Sequence, residues 1–197
     1  MTMTMTDDEN LSASFRGRGL ILLREHIKNQ NLIKHCLAVE ALMIALAGKF
    51  GEDENVWGLA GLLHDMDWEE TQSTPERHSL IAAEILEKEG FPAEVVKAIK
   101  VHNHLHGITP ETLLEKALYA TEEITGLIVA ATLILPSKKL ADLKVESILS
   151  RMKEKSFARG VNREIINLTP EYIGVSVKEL ARVALGAMRE IHEELGL

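Results

Sequence analysis

The stretch Val56-Trp57-Gly58-Leu59-Ala60-Gly61-Leu62-Leu63-His64-Asp65 runs through apolar and small residues and then sets an imidazole beside a carboxylate. An unpaired charge at the edge of so apolar a segment costs several kcal/mol, so the pair needs a partner, and the chemistry of the two groups points to a metal ion. Neighbouring residues on a helix lie about 100° apart. Near a helix end, His64 and Asp65 can therefore both lean toward one ion in an adjoining cleft, provided other helices bring further ligands.

Working outward, the chain supplies them. Over Leu32–Ala47 the apolar residues recur at helical spacing, and His35 shares the stripe of Leu32, Val39, Leu42 and Leu46, so it points inward. Thr74-Pro75 predicts a helix start, with Thr74 as N-cap and Pro75 in the first turn, and Gly90 predicts its end. Within that helix His78 shares a face with Ile81, Ala82 and Ile85. Phe91-Pro92 opens the next helix, where Val95, Ile99 and His102 fall at i, i+4 and i+7, while His104 and His106 lead to the turn at Gly107. Thr109-Pro110 predicts another start, for a long segment reaching Leu135-Pro136. Glu122 lies there on the stripe of Leu114, Leu118 and Val129, with Glu123 about 100° round. Each residue has an ordinary alternative: a core histidine bonded to a carbonyl, a capping histidine, a surface histidine patch at residues 102–106, a salt bridge for Glu122.

The flanking segments are packing helices. Leu20, Leu23 and Ile27 mark one between Phe15 and Lys28; Ser176 and Glu179 form a capping box for another, with the stripe Leu180, Ala184, Met188, Ile191 and Leu195. No strand-like alternation or repeat competes, so the expectation is an all-α single domain over residues 15–197, preceded by a disordered tail or cloning remnant at 1–14. With 197 residues, 46% hydrophobic, one core is affordable. The net charge of -8 argues against a general nucleic-acid surface. The single cysteine, Cys36, rules out an intramolecular disulfide and a Cys-rich zinc site. Without an uninterrupted apolar run of about 18 residues, a cytoplasmic protein without membrane contact is expected.

One segment runs against the acidic balance: Arg151, Lys153, Lys155, Arg159 and Arg163 face only Glu154. It is either a solvated face or a set of donors for substrate phosphate, for which Lys153, Lys155, Arg159 and Arg163 are the candidates.

His35, His64, Asp65, His78, His102 and Glu122 thus form a mixed imidazole and carboxylate set without thiolate, suited to Fe, Mn, Co, Ni or catalytic Zn. The order His35, then His64-Asp65, then a distant carboxylate at Glu122 resembles the HD-domain superfamily of metal-dependent phosphohydrolases. LHDMDWEETQSTPERHSLIAAEILEKE at 63–89, LYATEEITGLIVAATLILPSKKL at 118–140 and EKSFARGVNREI at 154–165 resemble a compact group of bacterial HD hydrolases. The resemblance implies an HD-type helical bundle in which His35, His64, Asp65 and the carboxylate at 122, usually Asp in the family, hold one divalent metal. It further implies that Asp65 can bridge to a second ion held by His78 and His102. The activity implied is hydrolysis of a small phosphorylated substrate, chiefly a nucleotide and not a nucleic-acid polymer, with His64 and Asp65 at the catalytic centre and His104 or Asp67 as candidate general acids. Two other classes stay open: a di-iron oxygenase on the same scaffold, and a non-catalytic nucleotide- or metal-binding module.

Overall fold

A computed structural model describes residues 14–197, so the expected tail lies almost wholly outside the described residues. Helix α1 (Phe15–His26) starts where the Ser14 hydroxyl accepts the Gly17 N–H at 3.0 Å. Helix α2 (Gln30–Phe50) is capped by the Asn29 side chain and ends at Gly51, whose φ of 74° supplies the left-handed turn that a residue with a Cβ resists. Asp53 caps α3 (Glu54–Leu63) by accepting from the Asn55 and Val56 amides.

Helices α2 and α3 form the most extensive pair in the molecule, and the glycines of the opening stretch show why. A Cβ on Gly61 would stand 2.7 Å from the Val39 carbonyl oxygen and 2.9 Å from the Glu40 backbone, and one on Gly58 would meet Ile44 at 2.9 Å. Bare backbone at these positions lets the two helices close onto a core of Leu42, Met43, Leu46, Leu59, Leu62 and Leu63. By length and composition α2 could cross a membrane, but half of its most apolar window is buried within the protein. It is the central core helix, and buried Glu40 on it is bound by Arg16 at 2.6 and 3.1 Å.

The chain continues through a short helix, α4 (Trp68–Thr71), then α5 (Leu80–Lys88), α6 (Ala93–His102), a 3₁₀ turn (His104–His106), α7 (Leu113–Thr121) and α8 (Glu123–Leu133). Past a second 3₁₀ turn at Leu140–Asp142 come α9 (Val145–Met152), α10 (Arg163–Ile166), α11 (Thr169–Ile173), α12 (Val177–Glu190) and α13 (His192–Leu195). Helix α6 lies against α3, α7 against α6, and both α8 and α12 against α2. No strand occurs among the described residues, so the protein is all-α. Ser176 caps α12 through the Glu179 amide at 3.2 Å, as its capping pattern predicts.

Two expected helix starts are overturned. Residues 75–79 form turns, and α5 begins at Leu80, because buried Asp67, not Thr74, accepts the Ser79 and Ala82 amides at 3.1 and 2.9 Å. His78 therefore stands on a turn and not inside a helix. Likewise α7 starts at Leu113 with Thr112 as its cap: the Thr112 hydroxyl accepts the Glu115 N–H at 3.2 Å while the Glu115 carboxylate accepts the Glu111 N–H at 2.7 Å. The long segment expected after Thr109-Pro110 is also broken at Glu122. Its N–H reaches the Leu118 carbonyl at a stretched 3.4 Å, and the Thr125 hydroxyl takes the Glu122 carbonyl at 2.9 Å.

Candidate metal centre

The sequence-predicted residues gather chiefly at helix ends. His35 projects from the second turn of α2, His64 and Asp65 follow the last residue of α3, His78 sits on the turn before α5, His102 is the last residue of α6, and Glu122 occupies the break between α7 and α8. A helix end leaves carbonyls without intrahelical partners, and two of the imidazoles use them. His64 Nδ1 donates to the Gly61 carbonyl at 2.8 Å and His102 Nδ1 to the Ile99 carbonyl at 2.6 Å, each three residues back.

The other two imidazoles are oriented from farther away. His78 Nδ1 donates to the Asp67 carboxylate at 2.7 Å. The Thr125 hydroxyl gives its proton to the Glu122 carbonyl, so at 3.2 Å from His35 Nδ1 it accepts. All four rings thus place a proton on Nδ1 and turn Nε2 inward. Those nitrogens face one another in pairs: His35 and His64 Nε2 are 3.2 Å apart, as are His78 and His102 Nε2. Nitrogens so placed share a proton or hold a metal ion between them.

Asp65 stands between the pairs. Its Oδ2 is 3.6 Å from His35 Nε2, and its Oδ1 is 3.4, 3.2 and 3.5 Å from the Nε2 atoms of His64, His78 and His102. The result is two groups able to hold a metal ion, His35, His64 and Asp65, and Asp65, His78 and His102, joined through one carboxylate. Two nitrogen or oxygen ligands about 2.1 Å from one ion lie about 3.0 Å apart at a right angle and about 3.4 Å apart at a tetrahedral one. The spacings found cluster around that range, so the residues fit divalent ions of the imidazole- and carboxylate-preferring kind. Glu122 Oε2 comes to 3.7 Å from His35 Nε2, within reach of the first group.

Electrostatics agree with a cation site. Burial lowers the His35 imidazole and takes His64 down to about 3, so both stay neutral, free to coordinate. For Asp65, burial alone would raise the carboxyl, but His64 and the bonds from His102 and His78 hold it well below the usual carboxylate range. His78 goes the other way: against burial, Asp65 and Asp67 lift it to about 9. Glu122 is pushed well above its ordinary range by burial, then by Glu123 and Asp65, and burial also raises Glu123. Without a cation this pocket must store protons to keep its acids together.

An open cleft of about 340 Å³ lies over the centre. His35, Asp65, His78, His102, Glu122 and Glu123 line it together with Gly160 and His104, and Trp68, Leu32, Pro75 and Leu105 form its apolar parts. His104, an expected candidate for general acid, is therefore at the cleft. Asp67, the other, is buried and committed to His78, Ser79 and Ala82. Sequence reasoning missed that role, because nothing local separates Asp67 from Glu69 and Glu70, its neighbours in the same segment.

The basic segment is only partly as expected. The Arg163 guanidinium donates to backbone carbonyls of Met152, Ala158, Val161, Arg151, Glu154 and Phe157, which holds the loop between α9 and α10 in place and leaves it no face for a phosphate. That correction has a simple cause: a folded loop offers carbonyls that the sequence does not display. Lys153, Lys155 and Arg159 are exposed and line no part of the cleft, although Arg159 adjoins Gly160 at its edge.

Residues 32–155 match the HD domain family. Ribonuclease Y of Clostridium perfringens (strain SM101 / Type A) is 32% identical over 172 residues, covering 84% of this chain and 32% of that protein. Ribonuclease Y of Lawsonia intracellularis is 30% identical over 139 residues, 69% of this chain and 26% of its own length. Ribonuclease Y of Chloroflexus aurantiacus is 29% identical over 148 residues, 73% and 29%. The chain thus spans about a third or less of these curated relatives, and no solved structure matches it. With its imidazole and carboxylate centre and a family match over more than half its length, this chain belongs to the HD domain family.

Proposed function

We infer from membership of the HD family, a superfamily of metal-dependent phosphohydrolases, that this chain is a metal-dependent hydrolase. We propose that it hydrolyses a phosphate ester carrying a single charge at the scissile phosphate, a phosphodiester in a nucleotide or short oligonucleotide, in preference to a polyphosphate. The observation that carries this reading is the charge of the cleft. Among the described residues none that lines it is Lys or Arg, whereas Asp65, Glu122 and Glu123 all do. With divalent ions bound and the acids ionised, each negative charge on a substrate beyond what those ions neutralise meets carboxylates with no Lys or Arg lining the cleft, at about 1 to 4 kcal/mol per pair at 4 Å, depending on how wet the cleft is.

Bound divalent ions supply a low-pKa water as nucleophile and a Lewis acid for a phosphoryl oxygen. The chain's own residues do the rest. Gly61, Ile99, Asp67 and Thr125 fix the four rings, so the ligands need not reorganise. His104, which lines the cleft, would pass a proton to the leaving oxygen. Trp68 and Leu105 offer apolar surface against which a base can stack. The ribonuclease name of the relatives supports a diester, and the net charge of -8 favours short substrates over a long backbone.

The test is to strip metal, reload with Mn, Fe, Co, Ni or Zn separately, and compare a dinucleotide and bis(p-nitrophenyl) phosphate with p-nitrophenyl phosphate and a nucleoside triphosphate. We expect kcat/KM at least about tenfold higher for the diesters, in line with the charge repulsion above. Equal turnover of the triphosphate would refute the charge argument. Dioxygen consumption by the iron-loaded form without hydrolysis would establish an oxygenase instead, and binding without turnover a binding module.

A further inference from the structure

Of the four imidazoles at the centre, three are oriented by neutral groups: backbone carbonyls for His64 and His102, the Thr125 hydroxyl for His35. Only His78 leans on a carboxylate, and that carboxylate does more than hold a ring. Asp67 Oδ1 accepts from both His78 Nδ1, at 2.7 Å, and the Ser79 amide, at 3.1 Å, while Oδ2 accepts from the Ala82 amide at 2.9 Å. Ser79 is in the left-handed region at φ 70°, which a residue with a Cβ resists, and no side chain of its own caps α5. Asn103 Nδ2 donates to the Pro75 and His78 carbonyls and His106 Nε2 to the His78 carbonyl, but these bonds hold the turn's backbone, not its imidazole.

We propose that Asp67 is the positioning residue for one half of the centre, that of His78 and His102, and that the half of His35 and His64 stands without it. This rests on the reading of the centre as a metal site. A carboxylate behind an imidazole fixes its ring and makes it a stronger ligand, and losing such a partner weakens metal binding about 10- to 100-fold. Because the same carboxylate forms the first turn of α5 and holds the unfavourable Ser79 conformation, it ties ligand geometry to the 75–82 turn. No bond from Asp67 reaches His35 or His64, whose orienting groups lie on α3 and α8.

The protein carries its own reporter. Trp68 packs against His78 with ring centroids 4.8 Å apart, whereas the other tryptophan, Trp57, is buried in the core beside Phe50. A quenching ion such as Co(II) at the His78 half should dim Trp68, and one at the other half should do so less. The experiment titrates metal-free wild type and Asp67→Asn with Co(II), following fluorescence and bound metal together. Asn is isosteric: with its amide oxygen toward His78 and Ser79, the bond lost is that to the Ala82 amide, and the negative charge behind the His78 ring is removed with it.

For wild type we expect two ions per chain, one tied to the strong quench. For Asp67→Asn the quenching phase should weaken about 10- to 100-fold, with the other ion bound as before. Two ions bound with wild-type affinities in the variant would overturn the proposal and leave the metal reading intact. A wild type that binds no metal would overturn both, and one that stops at a single ion would overturn the separate halves. Should Asp67→Asn fail to fold, ¹⁵N-histidine spectra of zinc-loaded wild type decide: a slowly exchanging, low-field Nδ1–H for His78 is expected, and its absence overturns the proposal.

Discussion

Replacing Gly61 with Ala probes the contact on which fold and centre both depend. The added Cβ would lie 2.7 Å from the Val39 carbonyl oxygen and 2.9 Å from the Glu40 N and Cα, all backbone atoms of α2, which cannot rotate aside as a side chain could. Ordinary contact begins at 3.4 Å, so α2 and α3 must part by about 0.7 Å, an overpacking of the kind that costs about 1–3 kcal/mol. With rigid partners the upper end applies, and the better helix propensity of Ala returns about 1 kcal/mol. The net loss of about 2 kcal/mol corresponds to a Tm drop of about 4–8 °C for a chain of this size. The same displacement widens the 3.2 Å gap between His35, on α2, and His64, which is oriented by the Gly61 carbonyl itself. Calorimetry of metal-free protein, with a metal titration beside it, checks both effects. An Ala variant that melts within a degree of wild type and binds metal equally well would refute the argument that bare backbone at Gly61 sets the spacing of the centre.

Asp65→Ala removes the one carboxylate common to both groups and should abolish binding of both ions together with turnover, measured by metal analysis and phosphate-ester assay. Arg163→Ala should lower Tm and expose the 151–163 loop to protease, because its guanidinium bonds backbone carbonyls along the loop. In metal-free protein His78 is raised to about 9, above its unfolded value of about 6.5. Its contribution is therefore fully present below pH 6.5 and lost as pH rises through 9, so Tm should fall across that window. His64, held down to about 3 chiefly by burial, acts oppositely, and its contribution is lost as pH falls below 6.5. A flat Tm from pH 6.5 to 9.5 would contradict the bonding of His78 by Asp65 and Asp67.

What the sequence settled by itself rests on periodicity and on residue chemistry. The helical spacing that puts His35 on the stripe of Leu42 and Leu46, the apolar run ending in His64-Asp65, and the absence of strand alternation suffice for an all-α protein with imidazoles and carboxylates drawn inward. Those signals are local, and burial of apolar faces enforces them. Tertiary structure decided what depends on partners distant in the chain. Thr74-Pro75 has the look of a helix start, yet α5 opens five residues later because Asp67 caps it across the turn. Arg163 looks like a phosphate ligand, yet the carbonyls it binds converge only after the loop closes. The division of five ligand-bearing residues into two groups sharing Asp65 is likewise a matter of where helix ends meet. Residue type fixes what a side chain can bond, but which acceptor lies within 3 Å of it is set by packing.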